Sequence, residues 1–166
     1  MPADRIEVVI HPESIIHSMV AFIDGSVLAQ MGRPDMRGAI AYALAYPARL
    51  ADVCDPPDFA GLATLHFEQP DFERFPCLAL AYAACKAGKT FPAVLNAANE
   101  VAVSAFLEGM IQFHRIPDII ESILEKHDGS DDTDLEAIIG ADAWARKEAM
   151  VIVKRFADAE MPGGGI

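Results

Sequence analysis

The segment PAVLNAANEVAVSAFLEGM, residues 92–110, decides that the sequence encodes a helical core. Apolar side chains recur in it every three or four residues, which places them on one face of an α-helix. The predicted apolar stripe contains Leu95, Ala98, Ala102, Ala105 and Phe106, and the opposite face carries Asn96, Asn99 and Glu100. Asparagine is a poor helix former, so this pair indicates either side-chain hydrogen bonds or a solvated face.

Three further helices are predicted around this segment, at residues 76–87, 117–127 and 142–157. The first ends before Gly88, a residue typical of helix C-termini. The inward stripes of the other two contain Ile119, Ile120, Ile123 and Leu124, and then Ala145, Ala149, Ile152 and Phe156. A smaller turn at residues 133–139 has Thr133 available as an N-cap. These patterns predict a C-terminal domain resembling a four-helix bundle.

The N-terminal part of the sequence predicts β-structure. Residues 5–10 are rich in β-branched side chains and predict a buried strand, and residues 14–19 predict one helical turn. Asp24-Gly25 is typical of a tight turn and predicts a hairpin of residues 20–23 and 26–30. A helix at residues 34–46 and a linker with a short strand at 63–67 follow. The fold class is therefore α+β, with a strand and hairpin from an incomplete sheet preceding the bundle.

The composition excludes several classes of partner. Thirteen basic against 25 acidic residues give a formal net charge of −12, which repels nucleic-acid phosphates and anionic membrane surfaces. The apolar runs are far shorter than the ~20 residues needed to span a bilayer, and residues 1–5 do not resemble a secretory signal. Cys54, Cys77 and Cys85 form no CxxC pair, as expected of reduced thiols in a cytoplasmic protein.

Chemistry can be placed at two segments near the hairpin. No glycine-rich phosphate loop or metal-binding motif occurs, but His11, Glu13, Ser14 and His17 cluster between the predicted strand and the hairpin. This cluster could hold a metal ion through its two imidazoles, stabilise nearby backbone, or belong to an active site. The second segment is the stiff turn GRPDMR, residues 32–37, in which Met36 is either core filler or a ligand contact.

The same places carry a family resemblance. Residues 10–20 (IHPESIIHSMV), 24–30 (DGSVLAQ) and 32–37 (GRPDMR) follow one another as in 1-deoxy-D-xylulose-5-phosphate reductoisomerases. Downstream, residues 74–78 (RFPCL) and 95–100 (LNAANE), with 105–107 (AFL), are similar to the C-terminal helical domain of that family. The resemblance covers nearly the whole chain, and five blocks in the same order make it specific.

The resemblance implies an NADPH- and Mg²⁺- or Mn²⁺-dependent enzyme. Family members convert 1-deoxy-D-xylulose 5-phosphate into 2-C-methyl-D-erythritol 4-phosphate in non-mevalonate isoprenoid synthesis. It implies that residues 1–46 end the catalytic domain, 47–72 form the linker, 73–160 form the helical domain, and 161–166 are a disordered tail. The NADPH loop and the metal carboxylates would precede this segment, so we expect the chain alone to bind neither cofactor and to be inactive.

By the same resemblance, His17 is the candidate catalytic residue. Ser14, Pro34 and Met36 are candidate substrate-pocket residues, with the turn of Pro34 and Met36 packed against the substrate and the nicotinamide. The incomplete sheet predicts a homo-oligomer formed through residues 5–30. The alternative is a non-enzymatic helical module that dimerises or binds a protein partner.

Overall fold

The computed structural model describes residues 2–129, 131 and 134–160 of the 166-residue chain. They form two compact units: Val8–Pro70, and residues 2–7 together with the described residues from Asp71 onward. The predicted α+β class is confirmed, because a two-stranded antiparallel sheet precedes a set of helices. The predicted cap Thr133 and the predicted disordered tail, residues 161–166, lie outside the described residues.

The unit Val8–Pro70 is built on a β-hairpin. Strand β1 is Ile16–Ala21 and strand β2 is Val27–Met31, with Val20 directly opposite Leu28. The turn contains Asp24-Gly25, as predicted, and Gly25 adopts a φ of +84° that other residues rarely accept. The predicted strand bounds, 20–23 and 26–30, are wrong: the Phe22 amide donates to the Ser26 carbonyl at 2.9 Å, so Ile23 lies in a wider turn rather than in a strand. The predicted helical turn at residues 14–19 is wrong: from Ile16 onward, pairing with β2 satisfies the backbone better than a single isolated turn.

Two predicted strands are absent. Residues 6–9 form no strand, and within 5–10 only Ile10 pairs, exchanging two backbone hydrogen bonds of 2.9 Å with Glu68. Residues 63–67 form no strand either. They follow a short helix, α2, Phe59–Leu62, at whose start the Asp58 side chain accepts a hydrogen bond from the Gly61 amide. β-branched composition favours a strand only where a neighbouring strand is available, and none of the described residues supplies one.

The helix predicted at residues 34–46 is present. This helix, α1, is Met36–Ala45, and it begins after Asp35, whose side chain accepts a hydrogen bond from the Arg37 amide. That carboxylate satisfies one of the amides that the first helical turn leaves without a partner. α1 ends before Tyr46-Pro47, in agreement with the rule that the residue before a proline disfavours helix.

The second unit packs four long helices. Their bounds are α3 Cys77–Ala87, α4 Phe91–Leu107, α5 Arg115–Lys126 and α6 Leu135–Glu160. Helix α4 contacts the other three, so it is the centre of the bundle. Its buried residues are Val94, Ala97, Ala98, Ala102 and Ala105. The small alanines let neighbouring backbones approach closely, and the isoleucines of α5 fill the remaining space.

The predicted inward stripes are largely confirmed. On α5, Ile119, Ile120 and Ile123 are fully buried, and on α6 Ala145 and Ala149 are. The division of the last part into a turn at 133–139 and a helix at 142–157 is wrong, since α6 is continuous through Gly140. A glycine costs a helix only about 1 kcal/mol, which a helix packed along α4 and α5 can offset. None of the helices in the described ranges is long and apolar enough to cross a membrane.

Candidate functional site

His17 lies at an irregularity in the hairpin. Ile16 is opposite Met31 and Ser18 is opposite Gln30, so His17 is an extra residue in β1 with no partner in β2. Such a β-bulge redirects a side chain away from the regular alternation of the strand, and bulges are common beside active sites. The His17 side chain is exposed to solvent, which leaves the imidazole accessible to a ligand.

The imidazole of His17 lies beside Gly32, the first residue of the predicted stiff turn. A Cβ atom placed on Gly32 would be 3.6 Å from Nε2 of His17, which is van der Waals contact. The Gly32 amide donates a 2.9 Å hydrogen bond to the Ile15 carbonyl, which fixes the turn to the start of β1. The structure therefore brings His17 together with the segment that carries Pro34 and Met36.

Met36 and Pro34 are presented to solvent rather than packed into a core. Met36 is the first residue of α1 and is 71% exposed, so the core-filler interpretation is wrong for the unit Val8–Pro70. Asp35 holds the turn, because its carboxylate accepts hydrogen bonds from the Arg37 amide at 2.9 Å and from Arg37 Nε at 2.8 Å. The Arg37 guanidinium lowers the pKa of Asp35 to about 2, so this carboxylate stays ionised.

Ser14 is exposed and lies in a turn, where its amide donates to the His11 carbonyl at 3.0 Å. Its φ of +50° falls in the left-handed region, which serine rarely occupies. A residue held in that conformation marks a backbone constrained by its surroundings, and such positions cluster at functional sites. Among the described residues, no hydrogen bond joins Ser14 to His17, so the two candidates share a segment rather than a direct contact.

Sequence reasoning missed a polar cluster that joins the start of this unit to its end. The Glu13 carboxylate accepts hydrogen bonds from the backbone amide of His66, at 3.1 Å, and from Nδ1 of the His66 ring. His11 Nδ1 donates to the His66 carbonyl at 2.8 Å, and the His11 ring stacks on Phe67. A separation of 53 residues between Glu13 and His66 leaves no local pattern by which the sequence could have revealed the pair.

Neither the cluster nor the hairpin provides a metal site. The parts of the chain described by the structure contain no group of three or more His, Cys, Asp or Glu side chains placed to hold a metal ion. Nδ1 of His11 is bonded to the His66 carbonyl, and the His11 ring stacks on Phe67. His11 instead has the structural role that the sequence left open.

The polar face of α4 forms an interhelical network. Asn96 donates to Glu100 at 3.0 Å, and Glu100 accepts from Arg146 of α6 at 2.7 Å. Arg146 also bonds Asp142 one turn earlier, at 2.8 Å. Arg146 is the largest cause of the lowered pKa of Glu100. Asn96 and Glu100 therefore form side-chain hydrogen bonds on a face that is also exposed to solvent.

The chain is similar to a known protein family. Residues 31–148 match the family model described as the DXP reductoisomerase C-terminal domain. The chain belongs to this family. It is 62% identical over 150 residues to the 1-deoxy-D-xylulose 5-phosphate reductoisomerase of Desulfosudis oleivorans, covering 90% of this chain and 39% of that protein. The relative of the same name from Chlorobium limicola is 54% identical over 153 residues, with coverages of 92% and 40%.

Solved structures of the family have the same fold. The enzyme from Zymomonas mobilis in complex with NADPH superposes with a TM-score of 0.80 at 44% identity, covering 89% of this chain and 39% of that one. A DOX-P reductoisomerase with NADPH, fosmidomycin and magnesium gives a TM-score of 0.79 at 41% identity, with coverages of 88% and 38%. The chain thus spans about two fifths of the length of these family members.

The family match divides the candidate residues. Pro34 and Met36 fall within residues 31–148, whereas Ser14 and His17 precede that range. The assignment of His17 as catalytic, and of the other three to a substrate pocket, stays a prediction. So does the division of the chain into a catalytic-domain end, a linker and a helical domain at residues 46 and 72.

Proposed function

We propose that this chain supplies the C-terminal part of an NADPH- and divalent-metal-dependent reductoisomerase. That enzyme would convert 1-deoxy-D-xylulose 5-phosphate to 2-C-methyl-D-erythritol 4-phosphate in the cytoplasm, as a step of non-mevalonate isoprenoid synthesis. The observation that carries the proposal is 62% identity over 150 residues to a relative named for this activity. Because the chain spans 39% of that relative, the rest of the enzyme would have to supply the remaining parts of the active site.

His17 would act on the sugar phosphate directly. Its exposed imidazole lies on the bulge of β1 beside Gly32. There, a ring nitrogen could donate a hydrogen bond to a substrate oxygen or accept a proton from one. In this role it would orient or polarise the substrate. Pro34 and Met36, exposed on the adjacent turn, would pack against the substrate and the nicotinamide, and Ser14 would contribute a hydroxyl at the edge of the pocket.

The metal ion and most of the NADPH site would be held elsewhere in the longer protein. The described residues do not fit a divalent cation, since no three of their candidate ligands converge. The sequence likewise has no glycine-rich loop for a dinucleotide. We therefore expect the 166-residue chain alone to turn over no substrate.

The hairpin supports a homo-oligomer. Its exposed large apolar residues are Met19, Val20, Phe22, Ile23, Val27, Leu28 and Met31. A solvent-exposed apolar sheet with open edges is unusual in a monomer and is typical of a surface covered by another chain or domain. Burial of this surface between two copies of the enzyme fits a homodimer through residues 5–30. The same surface would serve the alternative, a non-enzymatic dimerisation or protein-binding module.

A chimeric enzyme separates these two functions. In it, this chain replaces the matched C-terminal 39% of the Desulfosudis oleivorans relative, and turnover is followed by NADPH absorbance with 1-deoxy-D-xylulose 5-phosphate and Mg²⁺. We expect the chimera to be active and the chain alone to be inactive. We also expect His17→Ala in the chimera to lower kcat about 100-fold or more, the typical contribution of general acid–base groups.

His114→Ala is the matched control for that substitution. His114 is also an exposed histidine, but it precedes α5 in the helical unit and its side chain caps no amide. A folded chimera without activity would overturn the proposed function. An active chimera in which His17→Ala and His114→Ala have the same small effect would remove His17 from the active site while leaving the family activity in place.

A further inference from the structure

We infer that Glu13 and His66 are positioning residues for His17, acting through a clasp between the turn before β1 and the segment before Pro70. This inference rests on the proposed function, because it assigns His17 a place in the substrate pocket. We define the clasp as His11, Glu13, His66 and Phe67, together with the backbone pairing of Ile10 with Glu68.

The centre of the clasp is the Glu13 carboxylate. Both of its oxygens are used: one accepts the His66 backbone amide at 3.1 Å, and the other accepts Nδ1–H of the His66 ring. These hydrogen bonds lower the pKa of Glu13 to about 2, so the group is ionised throughout the neutral range. An ionised acceptor with two donors from one residue fixes both the backbone and the ring of His66.

The imidazole of His11 makes a second set of contacts with residues 66 and 67. Because a carbonyl can only accept, His11 Nδ1 must carry the hydrogen that is donated to the His66 carbonyl over 2.8 Å. The ring also stacks on Phe67, with centroids 4.8 Å apart and planes inclined by 17°. The His11 side chain is only 7% exposed and that of Glu13 is 23% exposed, so these two groups are shielded from solvent, whereas the His66 side chain is 65% exposed.

The hydrogen bonds of the clasp matter for the structure of this unit because the unit has almost no apolar core. Among the described residues of Val8–Pro70, Ile15 is the one hydrophobic residue that is buried. The Glu13 side chain lies two residues before Ile15, and His17 lies two residues after it. With so few apolar contacts available, polar contacts must determine where the backbone of residues 13–17 lies.

The backbone of Ile15 is linked to the candidate site by a hydrogen bond. Its carbonyl accepts the Gly32 amide at 2.9 Å, and the His17 ring lies against Gly32. A shift of residues 13–15 would therefore move the bulge and the turn with Pro34 and Met36 relative to each other. Displacements of about 1 Å at a reacting group can cost on the order of 100-fold in rate, so a partial shift should be visible in kcat.

The first test uses the 166-residue chain and needs no substrate. Glu13→Ala and His66→Ala should each accelerate amide exchange at Gly32 about 10-fold and weaken the NMR cross-peak between the His17 ring and Gly32, with α4 amides unchanged. Glu7→Ala, an exposed carboxylate without a side-chain hydrogen bond in the described ranges, is the control and should change neither signal. Unchanged Gly32 exchange and an intact cross-peak in both variants would overturn the inference, whatever the activity of the chain.

The second test measures kinetics in the chimera. Glu13→Ala and His66→Ala should each lower kcat about 10-fold with less than a 2-fold change in KM, since the reacting group moves while the bulk of the substrate contacts stays. The double variant should be no slower than either single variant, because the two residues act as one unit. Glu13→Gln, which can accept the His66 amide and pair with the other tautomer of the ring, should recover most of the loss. Full kcat in both single variants, or losses that multiply, would refute a positioning pair, whereas an inactive unsubstituted chimera would refute only the proposed function.

Discussion

Truncation of Ile119 should reveal how much the helical unit depends on the interface of α5 with α4. Ile119 is 0% exposed and belongs to the core formed with Val94, Ala98 and Val153. Ile119→Ala removes three carbon groups, each contributing about 0.8 kcal/mol through burial, or about 2.4 kcal/mol of lost transfer free energy. The cavity left behind adds to this, and buried Ile→Ala substitutions cost about 2–5 kcal/mol in total. We expect a loss of about 3–4 kcal/mol, because rigidly packed alanines around the site leave little scope for collapse.

The measurement is urea denaturation of the 166-residue chain followed by helical circular dichroism. Ile119→Val should lose about 1 kcal/mol, which gives a graded series at one site. Ile139→Ala is the matched control, because Ile139 lies on α6 with its side chain 58% exposed. If Ile119→Ala and Ile139→Ala lower the free energy of unfolding equally, or if the buried variant loses less than 1 kcal/mol, the assignment of α5 as a core helix is wrong.

Three other outcomes follow from the exposed and charged surfaces. Leu28→Arg should shift the chain from dimer to monomer in sedimentation equilibrium at micromolar concentration, because a charge would be buried at the hairpin. Arg146→Met should lower the urea midpoint of the helical unit, and its difference from the parent should shrink in 1 M NaCl, since exposed ion pairs are screened. Asp35 has a pKa of about 2 in the folded state against 3.8 in the unfolded chain, a shift that carboxyl carbon NMR can follow. The ionised carboxylate should therefore stabilise its unit fully above about pH 4, and this stabilisation should be lost as the pH falls toward 2.

Each of these three predictions has a matched control variant or a result that would contradict it. Leu107→Arg changes a leucine of the helical unit that is also exposed, 76% against 66% for Leu28, and should leave association unchanged. A monomeric parent, or dissociation by both variants alike, would contradict the hairpin as the interface. An Arg146→Met difference that is independent of salt would point to packing rather than charge. Arg37→Met should raise the Asp35 midpoint toward its ordinary value without fully restoring it, because the backbone amide of residue 37 still donates to the carboxylate. An Asp35 midpoint that does not rise in that variant would remove the Arg37 guanidinium as the cause.

Local patterns were sufficient wherever one segment carries its own determinants. The hairpin could be predicted from Asp24-Gly25, because the turn requires a positive φ that glycine supplies. The inward faces of α4, α5 and α6 could be predicted because alanines and isoleucines repeat at helical spacing. The extent of α6 could not, since Gly140 weakens the local helical pattern while packing on α4 and α5 sustains the helix.

The failures concern features that depend on distant residues. Residues 5–10 have strand composition, yet within this segment only Ile10 forms a β-bridge, with Glu68. The bulge at His17 depends on how β1 pairs with β2, which composition does not encode. The bonds of Glu13 to His66 join residues 53 positions apart, so only the folded chain reveals them.

The alanine-rich α4 has a consequence for motion. A helix whose buried face is mostly methyl groups sits with its backbone close to that of its neighbours, and it can neither slide nor rotate without collision. Long flexible side chains, which could re-pack around a displaced helix, are scarce on that face. The bundle of α3 to α6 is therefore built as a stiff body rather than as a hinge. Slow, uniform amide exchange along α4 would be the signature of that stiffness, and any conformational change in the proposed enzyme would have to be accommodated outside the bundle.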